Sequence, residues 1–482
     1  MAKFYITNSI PYVNAEPHIG HALEFIQSDV VNQHHRMLDD DVLYLCGSDE
    51  NAIKNVQAAE KAGQDVQSFI DQHAVEFQKL ADSLHIHFDI FQKGSDAKHH
   101  TASQKLWELC AARGDIYKKK YKGLYCVGCE EFKTKDQLNE NGECPEHPGK
   151  KLEEVEEENY FFKLSKYQDW LLKLIETNEY EIVPEFRKNE IVSFIKSGLQ
   201  DFSISRSNER AKNWGVPVPG DPTQRIYVWF DALNIYQSGI GFGSAKQNEI
   251  EKYNKWWPAD LHVVGKGIIR FHAVYWPAIL HSAKLNIPKR LFVHEYFTVN
   301  GQKMSKTLGN VINPLDIVAK YGADALRYYC LAKISPFQDG DFSEEKLVEA
   351  YNSDLANGLG NLVARVAKLC EKNALTVTKV DPKVSDSSKT GGYHEHLKRF
   401  EFNLALEELW RDIKTIDVEL NNKQPWKLSQ DEAVIVLREC VKGIRDIAYA
   451  LQPFLPETAE KILKQFSGNI KSQPPLFPRI EA

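Results

Sequence analysis

Residues 4 to 51 constrain the fold more tightly than any other stretch. "FYITNS" (4–9) alternates and is rich in β-branched and aromatic residues, the pattern of a buried strand. After a short loop containing a proline and a glycine, Ile19, Ala22, Leu23, Ile26, Val30 and Met37 recur at helical spacing. "DVLYLCGSDEN" (41–51) is a second strand. Strand, helix and strand in so short a span form a βαβ unit, which requires a parallel sheet with a right-handed crossover. Ligands bind such sheets beyond the carboxyl ends of the strands. The loop "PYVNAEPHIGH" and Asp49 both fall at such ends.

Three further segments, "RIYVWFDAL" (225–233), "DLHVVGKG" (260–267) and "LFVHEYFTVNG" (291–301), read as strands of the same sheet. They lie far downstream, so an insertion splits the sheet. Beyond residue 345 the pattern is helical with no strand signal, as in "FNLALEELWRDIKTIDVELNNKQPWKL". The expected fold class is α/β, a Rossmann-type parallel sheet split by a zinc-containing insertion, followed by an all-α C-terminal domain. Four segments result: 1–115 and 225–345 for the two halves of the sheet, 116–224 for the insertion, and 346–482 for the helices.

His18 and His21 stand three apart at the start of the first helix. The first N–H groups of a helix are unpaired and carry positive partial charge, so helix N-termini attract anions. An imidazole can donate a hydrogen bond to a phosphate oxygen while uncharged. The pair fits a phosphate site, and equally a solvent-exposed helix cap with two incidental histidines.

The insertion carries "YCVGCEEF" and "GECPEHPGK". Cys126, Cys129, Cys144 and His147 space as C-x2-C-x14-C-x2-H, which suits one tetrahedral Zn²⁺. Four protein ligands leave no open position, so the metal is structural. Cys46, Cys110, Cys330, Cys370 and Cys440 lie in apolar-patterned segments and read as packed thiols. With no secretory signal, eight cysteines in 482 residues do not make a disulfide scaffold. A formal charge of −7 argues against non-specific nucleic-acid binding over the whole surface. "KKKYK" (118–122) is a local basic patch and "EEVEEEN" (153–159) reads as a solvated acidic face. The most apolar region, "LHVVGKGIIRFHAVYWPAIL", is interrupted by Lys266 and Arg270, so no membrane span is expected.

"VNGQKMSKTLGN" (299–310) is a glycine-flanked loop presenting Lys303 and Lys306. Together with "HIGH" on a split α/β sheet, it resembles the paired HIGH and KMSKS signatures of class I aminoacyl-tRNA synthetases, with Thr307 keeping the last hydroxyl. "PYVNAEPHIGH", "YCVGC", "YVWFDAL", "FHAVYWP", "NGLGNLVARV", "KQPW" and "PLFPRIE" narrow the resemblance to the methionine-specific members, over essentially the whole length. It implies formation of methionyl-adenylate from methionine and Mg²⁺-borne ATP, then transfer to initiator and elongator tRNA with a CAU anticodon. His18, Gly20, His21, Lys303 and Lys306 would serve ATP. Asp49 would take the methionine ammonium, with Ile10, Tyr12, Trp229, Ala232, Leu233, Tyr236, Ile268 and His272 around the side chain. Asn361, Arg365, Pro425 and Trp426 would read the anticodon. The resemblance further implies a cytoplasmic monomer without a C-terminal tRNA-binding extension. Asn51-Ala52 and Gly267 depart from the family pattern, which often has His-Gly and Asp there. The competing expectations are another class I synthetase and an inactive, synthetase-like RNA-binding protein.

Overall fold

The computed structural model describes residues 2–126, 131–133, 138–145, 149–304, 309–378 and 391–481. They form two compact units. One comprises the chain up to Glu16, Asp40–Gln78 and Phe88–Val293; the other comprises Pro17–Asp39, Lys79–His87 and the chain from His294 onward.

The strands of the first unit, in chain order, are β1 (Lys3–Asn8), β2 (Asp41–Ser48), β3 (Ile90–Lys93), β4 (Ile116–Cys126), β5 (Glu131–Lys133), β6 (Glu153–Phe162), β7 (Glu181–Val183), β8 (Phe202–Ser203), β9 (Ser205–Ser207), β10 (Pro217–Val218), β11 (Asp221–Ile226), β12 (Leu261–Gly265) and β13 (Arg290–His294). Six of them make the central sheet, in the order β3-β2-β1-β12-β13-β7. β1 pairs in parallel with both β2 and β12, with Ile6 opposite Tyr44 on one side and Leu261 on the other. Every residue of β12 is buried, as expected of a strand covered on both faces. The Rossmann-type sheet is therefore as the βαβ pattern requires. β3 and β7 were not anticipated; at four and three residues they are too short to show a period. β7 lies between residues 116 and 224 yet pairs with β13.

Two expected strands need correction. In "RIYVWFDAL" the strand ends at Ile226 and belongs to an antiparallel sheet, β10-β11-β9, while Val228–Ala232 is a short helix. All five helical residues are buried. A short run buried on all sides has no polar phase, so its sequence cannot separate helix from strand. "LFVHEYFTVNG" is also not one strand. β13 ends at His294, and β14 (Phe297–Val299) joins a separate sheet of the second unit with β15 (Gln302–Lys303) and β16 (Gly340–Phe342). Asn300 and Gly301 turn this β14–β15 hairpin with φ of 50° and 73°, the left-handed pair that a two-residue hairpin turn demands.

The basic and acidic runs are opposite sides of one ladder. β4 and β6 run antiparallel, with Lys120 opposite Glu158 and Lys122 opposite Glu156. Lys118 lies 3.5 Å from Glu158, and Lys122 lies 4.0 Å from Glu154. Cross-strand pairing thus neutralises most of the patch that "KKKYK" presents in the sequence.

In the second unit the helix Ile19–Met37 accompanies the helices Asn361–Lys372, Phe402–Lys423, Gln430–Leu451 and Pro456–Gln465. Ser429 and Glu432 form a reciprocal cap at Gln430, which fixes where that helix begins. A small antiparallel ladder, β17 (Thr376–Val377) with β18 (Gly468–Asn469), is the one departure from an all-helical C-terminal region among the described residues. No helix among those residues is long and apolar enough to cross a membrane.

Arg327 is fully buried in this unit. It donates to Asp29 (2.9 Å) and to the carbonyl oxygens of Pro453, Phe454 and Leu84 (2.6, 2.8 and 3.0 Å). One guanidinium thus ties the first helix to three other segments, and removing it would strand a buried carboxylate. Arg327→Met is expected to lower stability by about 3 to 5 kcal/mol. The shift of the urea unfolding midpoint checks this.

Candidate active site

Within the second unit the two histidines cap their own helix. The His18 backbone is extended (φ −130°, ψ 171°), and its Nδ1 accepts from the Gly20 N–H at 3.1 Å. The His21 Nδ1 accepts from the His18 N–H, also at 3.1 Å. An amide nitrogen can only donate, so both Nδ1 atoms carry lone pairs and each neutral ring bears its proton on Nε2. The rings stack at 3.8 Å and 24°. A Cβ at Gly20 would stand 3.0 Å from two atoms of the His18 ring, so a larger residue would push that ring from its place. It would also stand 3.7 Å from the Met304 methyl, and the Ile19 N–H donates to the Ile312 carbonyl at 3.0 Å. The helix start and the ends of the "KMSKT" loop are therefore neighbours. Lys306 and the Lys303 side chain lie outside the described residues.

The first unit holds all nine residues expected around methionine. Asp49 directly follows β2, is 3% exposed and forms an isolated parallel bridge with Tyr12. Its N–H donates to the Pro11 carbonyl (2.9 Å), and its carbonyl accepts from Asn55 (2.8 Å). Tyr12 meets Trp229 edge to face at 6.3 Å. Ala232 and Leu233, with Trp229, come from the Val228–Ala232 helix and its end. Tyr236 and His272 are each 1% exposed. The Tyr236 hydroxyl lies 2.8 Å from His272 Nε2, and His272 Nδ1 lies 3.0 Å from the Ile268 carbonyl. Nδ1 must donate to that carbonyl, so Nε2 accepts and the tautomer is fixed. Ile10, Tyr12 and Ile268 are half-buried and pack on the same core.

Sequence reasoning missed the supports. Phe271 stacks on Trp229 at 3.8 Å and 5°. Asp231 is buried beside His99 (2.9 Å) and accepts from Asn51 (2.6 Å), which also donates to the Gly94 carbonyl (2.8 Å). Burial alone would raise the Asp231 carboxyl, but His99, then His100 and Asn51, outweigh it and hold the group below the usual carboxylate range. Asn51, noted above as a departure from the family pattern, thus ties the Asp49 loop to the helix carrying Trp229. Gly267 lies in the single turn Lys266–Ile268 after β12.

Two of the four metal-ligand candidates are described. Cys126 ends β4 and is buried. Cys144 is the only buried residue among those described from 138 to 154. A sulfur buried in an otherwise exposed polar loop fits a thiolate knuckle. Cys129 and His147 lie outside the described residues, and among those described no group of three metal-binding side chains forms. The five other cysteines are buried, as expected of packed thiols.

On the helical part, Asn361 opens its helix exposed. Arg365 is ion-paired to Asp417 and donates to Asn421 at 2.6 Å. Pro425 is buried, and Trp426 is 43% exposed on a single 3-10 turn between two long helices, rather than at the start of one.

Burial and the neighbouring His18 hold His21 well below its ordinary pKa, and burial and His272 do the same for His262. Below pH 6.5 the unfolded chain binds protons at these positions that the folded chain refuses, so stability should fall with pH there. Each fully neutral ring contributes up to about 1.4 kcal/mol per pH unit to that slope. Urea unfolding at pH 7, 6 and 5 should show a falling midpoint, and His262→Asn should flatten the dependence.

Comparison with known proteins follows the same lines. The family model for class I (M) tRNA synthetases matches residues 4–367. A methionine–tRNA ligase of Thermotoga maritima is 41% identical over 96% of this chain and 75% of its own length. One from Synechocystis is 40% identical over 96% of this chain and 89% of its own. The Mycobacterium tuberculosis methionyl-tRNA synthetase, solved in complex with methionyl-adenylate, superposes with a TM-score of 0.91 at 36% identity, covering 99% of this chain and 100% of that one. Signature histidines, sheet and relatives agree, and the chain belongs to the class I methionyl-tRNA synthetase family.

Proposed function

We propose that this chain activates methionine with MgATP and transfers the methionyl group to the 3′-terminal adenosine of initiator and elongator methionine tRNA. The observation that carries the reading is the capped histidine pair, two neutral rings whose backbone bonds place the proton of each on Nε2, the form that donates to a phosphate oxygen. In the first step a methionine carboxylate oxygen attacks the α-phosphorus, the bond to the β-phosphate breaks, and pyrophosphate leaves. The protein positions the groups and stabilises charge on the phosphates. His18 and His21 donate from the helix N-terminus, while Lys303 and Lys306 meet the β- and γ-phosphates. Mg²⁺ enters with ATP. Asp49 takes the ammonium as a charge-assisted bond. In the second step a ribose hydroxyl attacks the activated carbonyl and AMP leaves.

Cys126, Cys129, Cys144 and His147 would hold one Zn²⁺, which fixes the knuckle without entering the reaction. We assign the two substrate sites to 1–115 and 225–345, the knuckle to 116–224 and anticodon contact to 346–482. The enzyme works as a cytoplasmic monomer.

Amino-acid-dependent exchange of labelled pyrophosphate into ATP tests this reading. Methionine should support exchange, and leucine, isoleucine, valine and cysteine should not. Equal rates with another amino acid would refute the specificity, and no exchange with any would refute the activity.

Anticodon reading rests on Trp426, whose exposed indole offers a stacking face for a splayed base. Asp417 and Asn421 orient the Arg365 guanidinium four residues along the helix from Asn361. Base stacking is worth about 1 to 3 kcal/mol, so Trp426→Ala should weaken tRNA charging roughly 5- to 150-fold. Exchange without tRNA should stay unchanged. A parallel loss of both activities would make Trp426 a structural residue.

A further inference from the structure

In the first unit, β9 and β11 run antiparallel with Arg206 directly opposite Arg225. Like charges in direct opposition destabilise a ladder unless something compensates. Both arginines line one cavity of about 120 Å³, together with Arg210, Lys212, Tyr125, Trp214 and Tyr227. Four cationic side chains line it against a single carboxylate, Glu153. Some of this charge is balanced locally. Arg206 donates to Ser203 Oγ (2.9 Å) and the Ser205 carbonyl (2.7 Å) and lies over the Tyr227 ring at 4.3 Å. Arg210 pairs with Glu153 at 3.0 Å, and Lys212 pairs with Glu60.

Arg225 pairs with no carboxylate among the described residues, and its Nε is buried there without a hydrogen-bond partner. A buried donor left unmade costs stability, and a charged one costs more. The arrangement is therefore that of a site completed by an anion. Its volume of about 120 Å³ has room for a phosphate group.

The cavity also has an informative position. Tyr227 and Val228 line it and lead directly into Trp229 and Ala232, while Asn51, two residues beyond Asp49, lines it from the other side. It thus adjoins the methionine pocket along two separate chain segments.

We propose that this cavity binds a phosphodiester close to the 3′ end of the tRNA substrate, holding the acceptor strand while its terminal adenosine reaches the activated methionyl group. The inference rests on the methionine-pocket reading given above. Free nucleotide or inorganic phosphate offers the same chemistry, so the experiment separates the sources.

The full chain carrying Arg225→Gln or Arg225→Lys is compared with wild type in two assays. One is single-turnover transfer from preformed methionyl-adenylate at subsaturating tRNA, the other methionine-dependent pyrophosphate exchange. Arg225→Gln should slow transfer about tenfold or more through loss of a charge-assisted contact, with Arg225→Lys recovering most of the rate. Exchange should stay within about twofold, since that step uses no RNA. Phosphorothioate tRNA probed with iodine should show protection of one of the last three phosphodiesters by wild type, lost in Arg225→Gln. Unchanged transfer overturns the proposal. So does a raised KM for ATP in exchange with transfer intact, which would assign the cavity to free nucleotide. Absence of iodine protection in wild type overturns it even if Arg225→Gln does not fold. Wild-type protein lacking methionine-dependent exchange would instead refute the underlying reading, and the proposal with it.

Discussion

The site in the first unit depends on β1. Its parallel pairing with β12 joins residues 255 positions apart, with Thr7 beside His262 and Ile6 beside Leu261. Three bonds from this strand reach toward the pocket. The Tyr5 hydroxyl donates to the Tyr236 carbonyl at 2.6 Å, Thr7 Oγ1 meets His262 Nδ1 at 2.6 Å, and the Tyr5 N–H donates to Asp260 at 2.8 Å. The His262 ring packs on Tyr236 at 4.5 Å, and Tyr236 in turn holds His272. A register slip of one residue on β1 would turn Tyr5 and Thr7 to the opposite face and dismantle this series. The sheet thus does more than carry loops at its end; its side chains set the rotamers of the wall that methionine is proposed to meet.

Backbone groups fix the protonation state of the histidines in both units. His18 and His21 accept amide protons at Nδ1 and carry their own proton on Nε2, whereas His272 donates its Nδ1–H to a carbonyl and accepts at Nε2. The same side chain carries its proton on Nε2 in one place and on Nδ1 in the other, where it accepts from tyrosine. Neutral rings suit the nucleotide site because they can donate without the desolvation cost of a buried cation. In the proposed site positive charge would come from the helix N-terminus and from Lys303 and Lys306.

The parallel sheet and the capped histidines were legible because each is written in local pattern. A strand of period two, a helix of period 3.6 and a helix start bearing polar rings need no knowledge of the rest of the chain. What stayed hidden is non-local or lacks a period. Val228–Ala232 is buried on every side, so nothing in it distinguishes helix from strand. β7 is three residues long and acquires its meaning only by pairing with β13. Lys120 and Lys122 look like a basic patch until β6 places Glu158 and Glu156 opposite them. The Asp231 network joins residues from three distant segments, and no spacing rule links Asn51, His99 and Asp231. The methionine wall and the anticodon residues were named through resemblance, since single aromatic residues carry no signal separating a ligand wall from ordinary core.

The nature of that wall bears on how the pocket can discriminate. A site defined by volume alone separates substrates differing by one methylene by only about 1 to 3 kcal/mol. Here the Tyr236 hydroxyl is bonded to His272 Nε2 and His272 Nδ1 to the Ile268 carbonyl, whereas the Trp229 Nε1 is buried without a hydrogen-bond partner among the described residues. A side chain bearing an ammonium would lose its hydration and would meet Tyr236 and His272 already bonded. In the proposed pocket an unbranched thioether would need neither hydration nor a bonding partner and would gain contact with the Trp229 and Tyr12 rings; Phe271 holds Trp229 in place by stacking on it. An apolar side chain in the proposed pocket would thus leave the Tyr236–His272 bond intact, while Phe271 fixes the plane of the Trp229 ring.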